Sequence, residues 1–219
     1  MPCIKTYSIT NGKSTHTFSY ESLLACGCSD IVVVKNKMWK EALSFCVESC
    51  NCSHFLRVDD DFILHPKAFT YMKTCIKKEQ NTAVYFWQLW EDYSKNIVHA
   101  IKVYSIDALR KIDGFKFNSL GKTDRETHRV LMEAGYEIKE DKSILAIHAC
   151  GNKQEQQQYN ELWKSQSKKY VKARYELSLL YTKSIEYQYE LRTDFLENLN
   201  RKYKTPFGKW LDENSISTT

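Results

Sequence analysis

Three apolar runs, residues 4–10 (IKTYSIT), 30–34 (DIVVV) and 54–58 (HFLRV), open the chain; each is short, bounded by turn residues and rich in β-branched and aromatic side chains, as buried strands are. Between them the apolar residues fall at helical spacing. Phe18, Tyr20, Leu23 and Leu24 occupy the first gap, and Trp39, Ala42, Leu43, Cys46, Val47 and Cys50 the second. Strand, helix, strand, helix, strand is the pattern of parallel neighbours, which need a crossover because a tight turn cannot join them. The expected fold class is α/β: a Rossmann-like, mostly parallel sheet flanked by helices. Ligands of such sheets sit beyond the carboxyl ends of the strands.

The third run leads straight into charge. Residues 54–66 read HFLRVDDDFILHP, so three aspartates lie between two apolar stretches. In extended chain Asp59 and Asp61 would share one face and Asp60 the other. Two carboxylates leaving a buried strand together are costly unless positive charge sits between them, and all-oxygen ligands favour Mg²⁺ or Mn²⁺. A solvated acidic turn is the alternative; the apolar flanks speak against it.

The rest of the chain is read in the same way. A helix is expected over 67–79, strands over 83–90 (AVYFWQLW) and 97–105 (IVHAIKVYS), and a short helix through Lys111 capped by Ser105. A further helix over 123–134 should end at Gly135, and ILAIH (144–148) reads as a last buried strand. From Gln154 to Tyr203 there is neither Gly nor Pro, so one long helix or two are expected, packed through Leu162, Trp163, Tyr170, Leu177, Leu180 and Tyr181, with residues 213–219 frayed. Domain bounds of 1–152 for the sheet and 153–219 for a C-terminal helical extension follow.

Composition narrows the functional classes. With 219 residues, 42% hydrophobic and 27% charged, the chain can bury a substantial core. Neither a charged-then-apolar leader nor an apolar run of spanning length is visible, so a cytoplasmic location is expected. A net charge of +5, from 32 Lys and Arg against 27 Asp and Glu, suits a phosphate-bearing ligand and does not by itself indicate nucleic acid. The eight cysteines include C-x-C pairs (Cys26/Cys28, Cys50/Cys52) but no C-x₂-C pair, so free thiols are expected ahead of zinc. Basic residues of the tail, among them Lys164, Lys168, Lys169, Lys172 and Arg174, suit a solvated helix face as well as an anionic partner.

These residues resemble the inverting GT-A glycosyltransferases of the "family 2" type, over about residues 4–150. That family ends a strand in a D-x-D motif followed by an apolar run and a proline; Asp59-Asp60-Asp61 and Pro66 match. It also carries an acidic pair eleven residues before the glycine of an A-G-Y turn. Glu133-Ala134-Gly135-Tyr136 supplies the turn, Asp124 stands at that spacing, and Gly114-Phe115 precedes it as the family's Gly-Phe does. The resemblance implies a GT-A-like fold and a nucleoside-diphosphate sugar donor, UDP-linked by preference and GDP-linked as the second choice. The acceptor would be a glycan or other hydroxyl compound. It implies Mn²⁺ or Mg²⁺ held by Asp61, with Asp59 on the metal or the ribose and His148 as a further ligand. Thr6, Ser8, Asn11, Lys35, Arg57, Asp59 and Asp60 would line the nucleotide sugar, and Asp124 would be the catalytic base.

Each role has a plainer alternative. His148 fits a core histidine, Arg57 fits a partner of the aspartates, and Asp124 lies in the first turn of a helix, where acids stabilise the dipole. Trp87 and Trp90 suit packing more than acceptor stacking. Three departures stand out: the second strand ends in Lys35 where the family has a base-reading acid, Thr123 replaces the glutamate of the acidic pair, and Thr6-Tyr7-Ser8 lacks the proline that usually precedes the family's Thr-Tyr. The competing classes are a metal-dependent nucleotidyl or phosphoryl transferase, for which no Gly-rich loop is visible, and a non-catalytic sugar- or nucleotide-binding scaffold.

Overall fold

A computed structural model describes residues 2–37, 39–76, 81–91, 96–112, 123–149 and 192–215; for Trp39, Lys40, Thr123, Asp124 and Ser215 the backbone alone is described. Gly114-Phe115, Gly121-Lys122, Cys150 and the tail positions from Leu162 to Tyr181 lie outside these residues.

Along the chain run β1 (Ile4–Thr10), α1 (His16–Ala25), β2 (Ile31–Lys35), α2 (Trp39–Ser49), β3 (His54–Asp59), β4 (Phe62–Leu64) and α3 (Ala68–Ile76). Then come β5 (Thr82–Glu91), β6 (Asn96–Ser105), α4 (Ile106–Lys111), α5 (Thr123–Glu133), β7 (Glu137–His148), α6 (Asp194–Lys202) and α7 (Pro206–Ser215). The seven strands form one sheet in the order β2-β1-β3-β6-β5-β7-β4. Five of them, β1, β2, β3, β5 and β7, run the same way, and β4 and β6 run against them. The sheet is thus mostly parallel in strand direction, as the alternation of periods predicts.

Both faces are covered. Leu56 and Val58 of β3 join one apolar cluster with Phe62, Trp87 and Leu145, while Phe55 joins the other with Tyr7, Leu43, Cys46 and Tyr104. This is why β3 reads as a continuous apolar run: alternate residues face opposite layers and both layers are dry. Trp87 is a core residue, and Trp90 packs edge-on against Phe195 of α6. The short helix α4 has the expected cap, with Ser105 Oγ accepting from the Ala108 N–H at 3.4 Å.

Three expectations are corrected. β7 begins at Glu137, well before the apolar run ILAIH, because its charged first half pairs with β5 on one side only. The C-terminal helices meet β7 where its apolar second half begins. Asn200 of α6 bonds both backbone groups of Ile144, accepting from its N–H at 2.9 Å and donating to its C=O at 2.8 Å. The helix α7, begun by Pro206, runs to Ser215 rather than fraying at 213.

The third correction concerns thiols. Cys26, Cys28, Cys46, Cys50 and Cys75 are free, but Cys3 and Cys52 form a disulfide. Strands β1 and β3 start side by side, Ile4 opposite His54, which brings the two Cα atoms to 5.0 Å. Burial pushes the Cys46 thiol up to about 12, as suits an inert core residue. Among the described residues no helix is long and apolar enough to cross a membrane.

Candidate functional site

Strand polarity assembles the site. The carboxyl ends of β1, β3, β5 and β7 lie at one edge of the sheet and deliver Thr10, Asp59, Glu91 and His148 there. Register keeps them close: Ile9 lies opposite Asp59, Glu91 opposite His148, and Phe62, the first residue of β4, opposite His148 again. Asp60 and Asp61 form the turn between β3 and β4.

The three aspartates do not alternate as extended chain would, because the strand ends at Asp59 and the backbone turns. Each carboxylate meets a different partner. Asp59 takes a two-point contact from Arg57, at 3.3 Å from Nε and 3.2 Å from one terminal nitrogen. The buried carboxylate of Asp60 turns toward β1 and accepts from Thr10 Oγ1 at 2.8 Å and from the Asn11 N–H at 3.0 Å. Asp61 turns toward β7, where His148 Nε2 stands 3.1 Å from its Oδ2. The other ring nitrogen of His148, Nδ1, lies 3.1 Å from Glu91 Oε1, and Glu91 is only 3% exposed.

Lys13 closes the cluster from above. The chain bends after β1 at Gly12, whose φ of +84° suits a residue without Cβ, and the Gly12 N–H donates to Thr10 Oγ1 at 2.9 Å. That bend returns Lys13 Nζ to 2.5 Å from Asp61 Oδ2 and 3.4 Å from Asp60 Oδ1. Burial alone would raise the Asp61 carboxyl; the His148 ring and the Lys13 ammonium outweigh it and hold the group well below the usual carboxylate range. For Lys13, burial favours the neutral amine, but Asp61 and Asp60 overcome it and raise the ammonium above its ordinary value.

A cleft of about 270 Å³ opens over this cluster, lined among others by Asn11, Lys13, Lys37, the three aspartates and His148. A larger pocket of about 400 Å³ lies beside Tyr71, Trp87, Asp141 and Trp210. Its Asp141 carboxylate already accepts from the Tyr71 hydroxyl at 2.7 Å and the Ser143 N–H at 2.8 Å. The strand ends, and with them the chemistry, belong to the smaller cleft.

Asn11, Asp59, Asp60, Asp61 and His148 are therefore brought together, and Arg57 stands behind Asp59. Thr6 and Ser8 are buried within β1, with Ser8 Oγ 3.3 Å from His16 Nε2. Lys35 is exposed at the end of β2, level with Thr10. Asp124 is the second residue of α5; its side chain lies outside the described residues. Thr10, Lys13 and Glu91 were not singled out from sequence. For Glu91 the signal was present: like the aspartates, it is a charge ending a buried apolar strand.

The donor chemistry fits a divalent cation. Two neighbouring corners of an octahedron with arms of about 2.1 Å lie about 3.0 Å apart, and the Asp61 oxygen and His148 nitrogen are separated by 3.1 Å. A carboxylate on the far nitrogen of a ligating histidine is the usual means of fixing its tautomer and orientation; Glu91 stands there. Among the described residues no three His, Cys, Asp or Glu side chains converge to hold a metal by themselves. Mg²⁺-type ions normally keep water and phosphate oxygens beside one or two carboxylates; here Asp61 is the carboxylate and His148 a nitrogen donor beside it.

No family model matches the sequence, and no curated protein matches it. Solved structures do match in shape. A mannosyltransferase from Pyrobaculum calidifontis, determined in complex with GDP-Man and Mn²⁺, superposes with a TM-score of 0.56 at 8% identity, over 92% of this chain and 75% of that one. Residues 1–349 of S. aureus TarS give 0.53 at 9% identity, over 80% and 70%, and A197 from STIV gives 0.50 at 11%, over 67% and 85%. The chain has the GT-A-type fold. At such identities the likeness concerns architecture, and the residues carry the rest.

Proposed function

We propose that the protein is a divalent-cation-dependent glycosyltransferase that moves a sugar from a nucleoside-diphosphate donor to a hydroxyl acceptor with inversion. One observation carries this reading: Glu91, His148 and Asp61 form a hydrogen-bonded chain at the carboxyl edge of a GT-A-type sheet. Asp61 and His148 would hold Mn²⁺ or Mg²⁺, which when bound supplies Lewis-acid stabilisation of the leaving diphosphate. Asp60 stays on Thr10 and the Asn11 N–H and fixes the turn, which leaves Asp61 as the carboxylate that would meet the ion. Asp59, locked by Arg57, borders the cleft where the ribose would lie.

In the reaction the bond from the anomeric carbon to the diphosphate oxygen breaks and a bond to the acceptor oxygen forms on the opposite face. The acceptor proton goes to a carboxylate, for which Asp124, at the start of α5, is the candidate. A UDP-linked donor is the first choice and a GDP-linked donor the second, the latter supported by the ligand of the Pyrobaculum enzyme.

The test is thermal shift of the purified protein against UDP-, GDP-, ADP- and dTDP-sugars, with and without Mn²⁺, beside Asp61→Asn. Ligands that bind only the native state raise its melting temperature. A rise that needs both Mn²⁺ and one nucleotide, and is lost in Asp61→Asn, is expected. A wild type that responds to no donor would leave a binding scaffold or another fold-sharing activity as the better account.

A further inference from the structure

Lys13 has no assigned role in the function proposed above, yet it occupies the electrostatic centre of the site. Its ammonium contacts both turn carboxylates, and the oxygen it contacts on Asp61 is the one that faces His148 Nε2. Beside the His148 ring, it supplies positive charge to the acidic pair in this conformation. A divalent ion seated on that oxygen and on His148 would lie within a few ångströms of the ammonium, among buried groups that screen poorly. The two positive charges oppose each other there.

The lysine has somewhere else to go. Its side chain is 30% exposed, it rides on a loop that bends at Gly12, and it lines the same cleft as the aspartates. Its flexible four-carbon stem can swing away from Asp61 without moving the strands. A donor bound to the ion would present diphosphate oxygens in that cleft, and these are good partners for a displaced ammonium.

We propose that Lys13 is an internal counter-ion that the divalent cation drives off Asp61 and that the donor's diphosphate then takes up, so that ion and nucleotide bind cooperatively. The proposal rests on the glycosyltransferase reading only in requiring an ion and a nucleoside diphosphate in this cleft. By linkage, whatever factor the nucleotide adds to ion affinity the ion adds to nucleotide affinity.

Calorimetric titration of the full chain tests this, with Mn²⁺ alone, with UDP and GDP alone, and with Mn²⁺ at saturating nucleotide. Wild type is compared with Lys13→Met, Lys13→Gln and Lys13→Arg, two neutral variants guarding against one that folds poorly. In the wild type, nucleotide should tighten Mn²⁺ binding by at least about 30-fold. In Lys13→Met or Lys13→Gln, Mn²⁺ alone should bind about tenfold tighter than in the wild type and the mutual enhancement should fall to a few-fold. Lys13→Arg should keep most of the enhancement. Equal Mn²⁺ affinity and equal enhancement in wild type and neutral variants would overturn the role of Lys13 while leaving the glycosyltransferase reading intact. Failure of the wild type to bind either nucleotide, with or without Mn²⁺, would overturn both.

Discussion

Replacing Asn200 by alanine should be among the most damaging single changes outside the cleft. The side chain is fully buried and serves four partners: it accepts from the Ile144 N–H at 2.9 Å and from Thr205 Oγ1 at 2.5 Å, and donates to Ile144 O at 2.8 Å and Leu196 O at 2.7 Å. Leu196 O lies in the first turns of α6 and keeps a helix partner, so truncation strands chiefly the two backbone groups of Ile144. At about 1–3 kcal/mol for each buried group left without a partner, the expected loss is about 3–4 kcal/mol. Asn200→Asp should cost as much, since a carboxylate oxygen would face the Ile144 C=O. Exposed Asn214→Ala should stay within about 0.5 kcal/mol. Urea unfolding followed by tryptophan fluorescence gives the energies. Hydrogen exchange of the Ile144 amide gives the local effect, and its protection should drop. A loss below about 1 kcal/mol in Asn200→Ala, with an unchanged dependence on urea, would refute the view that α6 seals the edge of β7.

The same junction and the site yield further expectations. Burial lowers the His65 pKa from its ordinary value to about 4, opposed by Glu197, and Nδ1 accepts from the Lys67 N–H, so the folded ring is neutral. The unfolded chain then binds more protons between about pH 6.5 and 4, and stability should fall as pH drops through that window by about 2–3 kcal/mol, a slope that His65→Gln should flatten in pH-dependent urea curves. Glu91→Gln should weaken Mn²⁺ binding by about 10–100-fold while leaving the fold intact by circular dichroism, because it loosens the His148 ring rather than the sheet. Asp124→Asn should lower kcat by about 10²–10⁴-fold with donor affinity preserved in titrations, as loss of a base does; an unchanged kcat would assign that residue to the helix dipole. Gly208→Ala should destabilise by about 1–3 kcal/mol, because a Cβ there would meet the Asn200 carbonyl oxygen at 2.8 Å.

Strands β1, β2 and β3 and helices α2 and α4 were legible because local pattern and tertiary burial agree in them: each buried stripe has the period of its element, and Ser105 is a cap in both sequence and structure. The first half of β7 was not, since EIKED carries the charges of a one-sided edge and lacks the apolar run that marks a strand buried on both faces. The aspartates were found but misoriented, because two-residue alternation holds only while the chain stays extended and β3 ends at Asp59. Lys13 carries no local mark at all. It matters through a loop bend and two contacts 47 and 48 residues away, as the Cys3–Cys52 bond matters through the pairing of β1 with β3. Spacing in sequence does not report such meetings; strand order does.

The central claim is that Asp61 and His148, oriented by Glu91, hold the ion that grips the donor's diphosphate. Anomalous scattering from crystals grown with Mn²⁺ and the nucleoside diphosphate selected by thermal shift tests it most directly. The predicted result is a peak about 2.2 Å from both Asp61 Oδ2 and His148 Nε2, with diphosphate oxygens completing the shell and Lys13 moved off Asp61. A peak elsewhere, or nucleotide bound in this cleft with Lys13 still on Asp61 and no manganese between them, would contradict it.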